Sequence, residues 1–316
     1  MTVTHPVRAA SGSPHGSLRR SRPRYGELLI KGVLLAAALV SIATTAGIVY
    51  SLIPPTVDFF RQISPADFFS GRNWAPLFDP PTYGVLPLLV GTLIITLIAV
   101  LVAVPLGLLA AIYLSEYARP RVRKVFKPVL EVLAGIPTVV YGFFALSFVT
   151  PVLRAIWPVG NGPGIFNALA AGLVMGVMII PTVASLSEDA MSAVPQSLRD
   201  GAYALGSSRI IVSLRVVVPA ALSGIVAAFV LGISRAIGET MIVTIAAGIN
   251  PALSFNPLQA MSTMTSFIAQ AGSGDIPTAS FDYKTVFAVA AVLFVLTFAM
   301  NALSIRLVRR YREVYE

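Results

Sequence analysis

The sequence predicts an all-α membrane protein built as a bundle of six transmembrane helices. Of its 316 residues, 56% are hydrophobic and only 12% are charged, whereas a soluble domain carries about 25% charged residues. The apolar residues fall into six long runs, and a helix needs roughly 20 such residues to cross a bilayer. Helices satisfy their own backbone hydrogen bonds in lipid, so each run is predicted to be helical. The runs are residues 28–53, 85–114, 129–151, 165–186, 217–247 and 285–308.

The distribution of Lys and Arg predicts the orientation of the bundle. Eighteen of the 23 basic residues lie in segments that alternate runs place on one side of the membrane, and only four lie in the opposite loops. Basic residues accumulate on the cytoplasmic side, so both termini are predicted to be cytoplasmic. The eighteen are Arg8, Arg19, Arg20, Arg22, Arg24, Lys31, Arg119, Arg121, Arg123, Lys124, Lys127, Arg199, Arg209, Arg215, Arg306, Arg309, Arg310 and Arg312.

Residues 1–24 differ in composition from the rest of the chain, because they are rich in Ser, Pro, Gly and Arg. Such a stretch buries too little apolar surface to fold, so it is predicted to be a disordered basic cytoplasmic tail. Residues 25–316 are predicted to form one transmembrane domain. The first run, 28–53, is longer than the apolar core of a secretory signal, which has about 7–15 residues, and is predicted to remain as a membrane helix.

Composition also excludes several classes of function. The net charge of +9 sits in short clusters between apolar runs, which does not suit nucleic-acid binding. The chain has no cysteine, and His5 and His15 both lie in the polar tail, so no metal site, cofactor or catalytic centre is predicted. Three acids near the predicted cytoplasmic boundaries are expected to be solvated or paired there: Glu131, Glu188 and Asp189.

Two long loops are predicted on the outer side of the membrane. Residues 54–84 are rich in Phe, Trp and Tyr, which are typical of the membrane interface. Residues 248–284 are predicted to hold a short amphipathic helix near 257–270. Each loop suits either a contact with an external partner or a simple interfacial cap, and the sequence leaves both alternatives open.

A cytoplasmic segment carries the most informative motif, Asp200-Gly-Ala-Tyr-Ala-Leu-Gly206 followed, after nine residues, by Val216-Val-Val-Pro219. It predicts a short helix that ends at Gly206, where glycine permits a left-handed backbone. The chain then reverses, and the next span is predicted to begin near Pro219. The alternative is an ordinary amphipathic connector across the loop of about residues 187–219.

A second motif places charges inside the fifth apolar run. Arg235 and Glu239 lie four residues apart near its middle, so they are predicted to share one helix face. A charged residue near the bilayer centre costs about 2.5–3.5 kcal/mol and usually marks a transport pathway. The alternative is a structural ion pair that only orients the helix.

Together these motifs resemble a known family, the permeases of ATP-binding-cassette (ABC) importers. Their loop signature is Glu-Ala-Ala-x3-Gly-x9-Ile-x-Leu-Pro. Ala202, Gly206 and Pro219 match it outright, whereas Asp200 and Gly201 stand where the signature has Glu and Ala. Residues 234–240, 104–107, 115–117, 135–142 and 309–311 resemble the phosphate-specific members of the PstC type, and the resemblance runs from about residue 58 to the end.

The resemblance implies a type I ABC importer permease fold in the bacterial inner membrane, with phosphate as the cargo. It implies that residues 200–206 dock on a separate ATPase, and the chain has no Gly-Lys dipeptide with which to form an ATP-binding phosphate loop of its own. The implied partners are a homologous second permease (PstA-like), two ATPase subunits (PstB-like) and an extracytoplasmic phosphate-binding protein (PstS-like). It further implies that Arg235 and Glu239 matter for transport, with Arg235 facing the anion and Glu239 holding Arg235 or preventing it from trapping the anion.

Two other classes remain as alternatives. One is an ABC permease for a different oxyanion, such as sulfate, molybdate or phosphonate. The other is a secondary anion transporter or channel, which would need neither an ATPase nor a docking loop. A membrane-bound enzyme is disfavoured, because no cluster of His, Cys or paired acids falls within the apolar runs.

Overall fold

The computed structural model describes residues 25–76, 78–157, 162–274, 277 and 280–310. The predicted disordered tail, residues 1–24, and Tyr311 of the C-terminal motif lie outside these ranges. The described chain is helical apart from its loops and one two-stranded antiparallel hairpin, in which Trp74 faces Tyr83.

The elements follow one another in two halves. The first half consists of α1 (Tyr25–Phe60), α2 (Pro65–Ser70), β1 (Trp74–Ala75), β2 (Thr82–Tyr83), α3 (Leu86–Ile112), the π-helical turn π1 (Tyr113–Tyr117), α4 (Pro120–Ala134), α5 (Thr138–Phe144), π2 (Ala145–Val149) and α6 (Thr150–Ile156). The second half consists of α7 (Ala168–Ser192), α8 (Gln196–Ala204), α9 (Arg209–Val212), π3 (Ser213–Val217), α10 (Val218–Ala220), α11 (Leu222–Ile237), π4 (Val243–Ala247), α12 (Met264–Ser273) and α13 (Phe281–Arg310).

Six segments of the described chain are long and apolar enough to span a membrane, if one bent pair counts as a single span. Five are continuous: Gly26–Phe60, Leu86–Tyr117, Thr138–Ile156, Ala168–Ser192 and Phe281–Arg306. The bent pair is Arg209–Ala220 with Leu222–Ile237, whose axes differ by 74°. The predicted all-α fold with six spans is therefore confirmed, with the fifth span broken.

The described chain divides between Tyr50 and Ser51 into two compact units. The first contains the N-terminal part of α1, whose large apolar side chains are exposed; Leu34 is 65% exposed and Ile42 is 67% exposed. A helix with apolar side chains all round is stable only when it is surrounded by other apolar groups. The second unit contains the end of α1 and all the other elements.

The core of the second unit lies between α3 and α7, where two glycines allow the helices to approach closely. Gly172 and Gly176 lie one turn apart on α7, and a methyl group added at either position would lie 2.7 Å from Cβ of Ile98 or of Val102 on α3. Small residues four apart are typical of close helix packing in membranes, since they let backbones approach. The two glycines therefore fix how deeply these two spans pack.

The third apolar run does not form one helix, and its predicted start at residue 129 is wrong. Residues 129–134 belong to α4, and the third span begins only at Thr138. Pro137 separates them, because proline has no N–H to extend the helix and disfavours helical backbone at Ile136 before it. α4 is instead a separate amphipathic helix that carries the basic cluster of residues 119–127.

The fifth run, predicted as one helix over 217–247, is broken twice. The first break is the bend at Ala221, where the backbone leaves the helical region with φ −89° and ψ 2° two residues after Pro219. The second follows Ile237, the last residue of α11, and helical structure resumes beyond residue 240. Helical structure begins already at Arg209, and the helix beyond the bend, α11, begins at Leu222, close to the predicted start near Pro219.

Some of the aromatic residues of the first outer loop form a buried cluster, whereas Phe69 and Phe78 are exposed, as predicted for interfacial side chains. Phe59 and Phe68 are fully buried. Phe59 stacks on Phe281 of α13 with ring centroids 5.6 Å apart, and Trp74 meets Phe267 of α12 edge-to-face at 4.9 Å. The predicted helix in the second outer loop exists as α12, which begins at Met264 and not near residue 257.

Candidate functional site

The motif of residues 200–219 forms a helical hairpin made of α8, a turn and α9. The turn has the predicted geometry: Gly206 has φ +77°, and its N–H donates to the Tyr203 carbonyl at 2.9 Å. The N–H of Ser207 donates to the Ala202 carbonyl at 3.1 Å, which completes the hydrogen-bond pattern of a glycine-terminated helix. The predicted helix end at Gly206 is confirmed.

The tip of this hairpin presents apolar side chains to its surroundings. Leu205 is 88% exposed and Ile210 is 51% exposed. Asp200 and Gly201 are also exposed on α8, where the Asp200 carboxylate accepts from the Gln196 amide at 3.1 Å. Exposed apolar side chains grouped in this way are typical of a surface that binds another protein. Ala202 is half-buried, and Pro219 lies far from the tip in α10.

The opposite side of the hairpin is fixed to the bundle by a buried arginine. Arg199 and Glu116, on α8 and π1, are both 8% exposed, and the Arg199 Nε and Nη2 atoms lie 3.3 and 3.0 Å from Glu116 Oε1. Arg199 also donates to two backbone carbonyls, that of Val194 at 2.6 Å and that of Met191 at 2.8 Å. The Ser115 hydroxyl lies 3.1 Å from the same carboxylate oxygen.

A second group of charges joins α4 to the same end of α7. Arg123 and Lys127 of α4 both form ion pairs with Glu188, in which the Lys127 Nζ lies 3.0 Å from Glu188 Oε2. Arg123 also donates to the Ser192 hydroxyl at 2.7 Å, and Lys127 forms a second ion pair with Asp189. The expectation that Glu188 and Asp189 are paired is confirmed.

The environment of Lys127 raises the pKa of its ammonium group. The hydrogen bond to Asp189 is the largest cause, and the hydrogen bond to Glu188 adds to it against the opposing effect of burial. Both carboxylates favour the charged form of the lysine. Glu131, which was predicted to open the third span, is an exposed residue of α4.

Arg235 lies in the last turn of α11, immediately before the second break of the fifth span. It is half-buried, and its Nη1 donates to the Thr182 hydroxyl of α7 over a long distance of 3.4 Å. A guanidinium has five N–H donors in a fixed planar arrangement. Within the part of the chain that the structure describes, this is its one hydrogen bond, so most of its donors are not used by the protein.

Glu239 does not share a helix face with Arg235, so that prediction is wrong. α11 ends at Ile237, and Glu239 is a buried residue of the break that follows. Its Oε1 accepts from the backbone N–H groups of Met241 and Ile242 at 3.0 and 3.2 Å. Glu239 therefore caps the helical segment that follows it, where a carboxylate satisfies free N–H groups and interacts favourably with their dipoles. Among the described residues, the structure has no ion pair between Glu239 and Arg235.

A buried group of hydroxyls at the start of α12 lies next to this break. The Thr265 hydroxyl donates to the Glu239 backbone carbonyl at 2.7 Å. Thr263 and Ser266 form a reciprocal capping box at the same helix end, and the Thr92 hydroxyl of α3 accepts from the Met264 N–H at 3.1 Å. Hydrogen bonds thus join α12 both to the break of the fifth span and to α3, and nothing in the sequence pattern had predicted them.

Some of these features had a signal in the sequence and others had none. Gly238-Glu-Thr240, placed before an apolar stretch, is a helix end followed by a capping acid, and it could have indicated the second break. The pairing of Arg199 with Glu116 joins residues 83 apart in sequence. Spacing along one element predicts contacts within that element only, so it gives no signal for such a pair.

Comparison with known proteins identifies the class of membrane protein to which the chain belongs. Residues 103–313 match the family described as binding-protein-dependent transport system inner membrane component. The chain belongs to this family, whose members are membrane permeases of ABC importers. Membership implies partners of two general classes, an ATPase and a substrate-binding protein.

Individual relatives indicate which type of ABC permease the chain is similar to. A probable ABC transporter permease, YqgH of Bacillus subtilis, is 36% identical over 297 residues, which are 93% of this chain and 94% of that protein. The phosphate transport system permease PstC 1 of Mycobacterium tuberculosis is 38% identical over 251 residues, which are 72% of this chain and 73% of that protein. The chain is thus similar to phosphate permeases of the PstC type along most of its length, as its motifs predicted.

Solved structures confirm the fold. A permease chain of a bacterial alginate ABC transporter covers 91% of this chain and 97% of its own, with a TM-score of 0.59 and 16% identity. A chain of the MetNI methionine transporter in an inward-facing conformation covers 73% of this chain and 95% of its own, with a TM-score of 0.52 and 20% identity. At such identities the likeness shows the fold alone, which is that of the type I ABC importer permeases.

Proposed function

We propose that this chain is a membrane permease subunit of an ATP-driven phosphate importer. The observation that carries the proposal is the similarity to the phosphate permease PstC 1 of Mycobacterium tuberculosis, 38% identical over 251 residues. The chain would form the translocation pathway with a homologous second permease of the PstA type. It would catalyse no bond change, and two PstB-like subunits would bind and hydrolyse ATP.

The geometry of Arg235 supports a role in the pathway. Broken helices of transporters commonly bind their substrates at the break. Arg235 lies beside the break, and its one hydrogen bond among the described residues is the long contact to Thr182. A guanidinium with unused donors can bind two oxygens of a tetrahedral oxyanion at once. Glu239 would hold the shape of the break through its cap and would not compete for Arg235.

The hairpin supports a role in coupling to the ATPase. Its exposed tip, with Leu205 and Ile210, provides an apolar surface for another protein, and its α8 side is held by the bundle. The proposed docking segment comprises Asp200, Gly201, Ala202 and Gly206 at the tip, with Pro219 before the bend in the following span. Motion of the ATPase at the tip would then reach the spans.

Orientation follows from the same proposal, since a docking hairpin has to face the cytoplasm. The termini would then be cytoplasmic, and the outer loops with α2 and α12 would face the PstS-like phosphate-binding protein. The chain has no cysteine, so single cysteines test this directly. A cysteine replacing the exposed residues Ser70 or Ser273 is expected to react with an impermeant maleimide in intact cells. One replacing the exposed Arg121 is expected to react only after the cells are opened; the reverse pattern would refute the orientation.

The cargo is tested by uptake in proteoliposomes that contain the complete complex with its binding protein. We expect ATP-dependent uptake of radiolabelled phosphate that excess sulfate, molybdate or phosphonate does not reduce. Inhibition by one of these anions with no phosphate uptake would assign another cargo to the same fold. Uptake that continues without ATP would indicate a secondary transporter or channel.

A further inference from the structure

We infer that Arg199 and Glu116 form a clamp that makes the coupling hairpin move as one body with the cytoplasmic ends of the second and fourth spans. The inference rests on the proposed coupling role of the hairpin and assigns two positioning residues to it. Neither residue lies at the exposed tip. Both are 8% exposed, whereas Leu205 at the tip is 88% exposed.

Arg199 reaches acceptors on three separate segments of the chain. Its guanidinium contacts three places at once: the Glu116 carboxylate on π1, the Met191 carbonyl at the end of α7, and the Val194 carbonyl in the connector to α8. The last carbonyls of a helix have no partner within it. A cation there completes their hydrogen bonds and interacts favourably with the helix dipole.

The clamp fits an arginine side chain and would not fit a lysine. Its donors are three different nitrogens: Nε and Nη2 both donate to Glu116 Oε1, Nη2 also donates to the Met191 carbonyl, and Nη1 donates to the Val194 carbonyl. A lysine has one nitrogen at the end of a flexible stem and cannot reach them together. The site therefore uses the shape of the guanidinium as well as its charge.

The hairpin has a second attachment to π1, beside the one made by Arg199. The Arg209 guanidinium, at the start of α9, lies 5.3 Å from the ring centroid of Tyr117, a distance at which cation and ring attract. Arg199 and Arg209 stand on either side of the Gly206 turn, and they contact neighbouring residues of π1. Both arms of the hairpin are thus tied to the end of the second span.

Buried apolar packing accompanies these contacts. Ile112 of α3, Met191 of α7, Val194 of the connector and Val212 of α9 belong to one buried cluster. A hairpin held by packing alone could slide, since apolar contacts are not directional. The ion pair adds direction, and a displacement of the tip is therefore expected to displace the two spans and not only the hairpin.

The test measures phosphate transported per ATP hydrolysed in proteoliposomes with the complete complex. Glu116→Gln and Arg199→Lys are expected to lower this ratio about tenfold, a loss typical of a broken coupling between sites, while the ATPase still co-purifies in wild-type amounts. The double variant Glu116→Gln/Arg199→Gln leaves no unpaired buried charge, so it is expected to assemble even if a single variant does not. Arg121→Lys, at an exposed arginine of α4, is the matched control.

A second measurement does not depend on the cargo. Spin labels at exposed Arg119, just beyond π1, and exposed Ser208, at the start of α9, report the distance between span and hairpin in the assembled complex. We expect one narrow distance distribution, unchanged by ATP, and a broad one in the double variant. If the wild type transports no phosphate but shows this behaviour, the proposed cargo fails and the clamp stands.

Two results would overturn the clamp. One is an unchanged ratio and an unchanged narrow distribution in the double variant. The other is a loss of ATPase co-purification with Arg199→Lys but not with Glu116→Gln, which would make Arg199 a docking residue for the partner.

Discussion

Arg199 and Arg235 are the same residue type in two opposite situations. Arg199 is 8% exposed and satisfies a carboxylate and two backbone carbonyls, whereas Arg235 is half-buried with one hydrogen bond of 3.4 Å to Thr182 in the described chain. A guanidinium that uses most of its donors on the protein fixes the elements around it. One with unused donors remains free to bind an anion that later leaves. The comparison separates the parts that transmit motion from the part proposed to contact the cargo.

The largest expected effect comes from removing the loosely bonded arginine. Arg235→Gln is expected to lower phosphate uptake by about tenfold to a hundredfold, since a hydrogen bond to a charged group contributes about 1.5–3 kcal/mol. Complex yield and thermal stability should stay near those of the wild type, because the contact to Thr182 is long. A variant that loses yield together with uptake would show that Arg235 is structural. Arg235→Lys, which keeps the charge, is expected to retain part of the uptake.

Glu239 provides the next test, because the structure makes it a cap and not the partner of Arg235. Glu239→Gln keeps an oxygen that can accept from Met241 and Ile242, so we expect a modest loss of uptake. Glu239→Ala removes the cap and is expected to cost about 1 kcal/mol in stability with a larger loss of uptake. The double variant Arg235→Gln/Glu239→Gln should transport no better than Arg235→Gln alone. Recovery of uptake in the double variant would instead support an ion pair between Arg235 and Glu239. It would refute the role of Arg235 in the transport pathway.

A smaller effect is expected at the turn of the hairpin. Gly206 has φ +77°, and valine at that position is strained by about 1–3 kcal/mol. Gly206→Val should lower both ATPase binding and the transport that depends on it, measured by co-purification and uptake. Gly201→Ala is the conformational control: the position is helical with no atom within 4 Å of an added methyl group, so helix stability should not fall. If Gly206→Val binds the ATPase as the wild type does, residues 200–219 are only a connector between two spans.

The smallest effect concerns the charges that join α4 to α7. Hydrogen bonds to Asp189 and Glu188 raise the pKa of Lys127. A lysine with a raised pKa in the folded state contributes stability fully below its unfolded pKa, about 10.4, and loses it as pH rises through the folded pKa. Thermal unfolding in detergent between neutral pH and pH above 10 should therefore show a small alkaline loss in the wild type. The Lys127→Met variant should lack this alkaline loss of stability. An identical pH dependence in the wild type and the variant would contradict a stabilising role of the Lys127 charge.

The sequence predicted what depends on local pattern and not what depends on tertiary contacts. Long apolar runs gave the six spans, and the spacing before Gly206 gave the helix end with its left-handed turn. The prediction that residues 217–247 form one helix was wrong. Backbone geometry causes the breaks at Ala221 and Gly238, and hydropathy carries no information about backbone geometry. Glu239 was assigned to the face of Arg235 on the assumption of an unbroken helix. The clamp to Glu116 depends on how three elements pack, which no local pattern contains.

The π-helical turn at the end of the second span has a consequence for how sequences of this family diverge. In π1 the Ala118 N–H donates to the carbonyl of Tyr113, five residues back, at 2.8 Å. Deleting one residue between Tyr113 and Ser115, before Glu116, would close an ordinary α-helical turn and rotate the side chains beyond it by about 100°. Glu116 would then face away from Arg199. Most helix ends tolerate a single-residue deletion. In π1 we expect such a deletion in relatives only where residue 199 is no longer arginine. The length of π1 and the residue type at position 199 are therefore expected to change together.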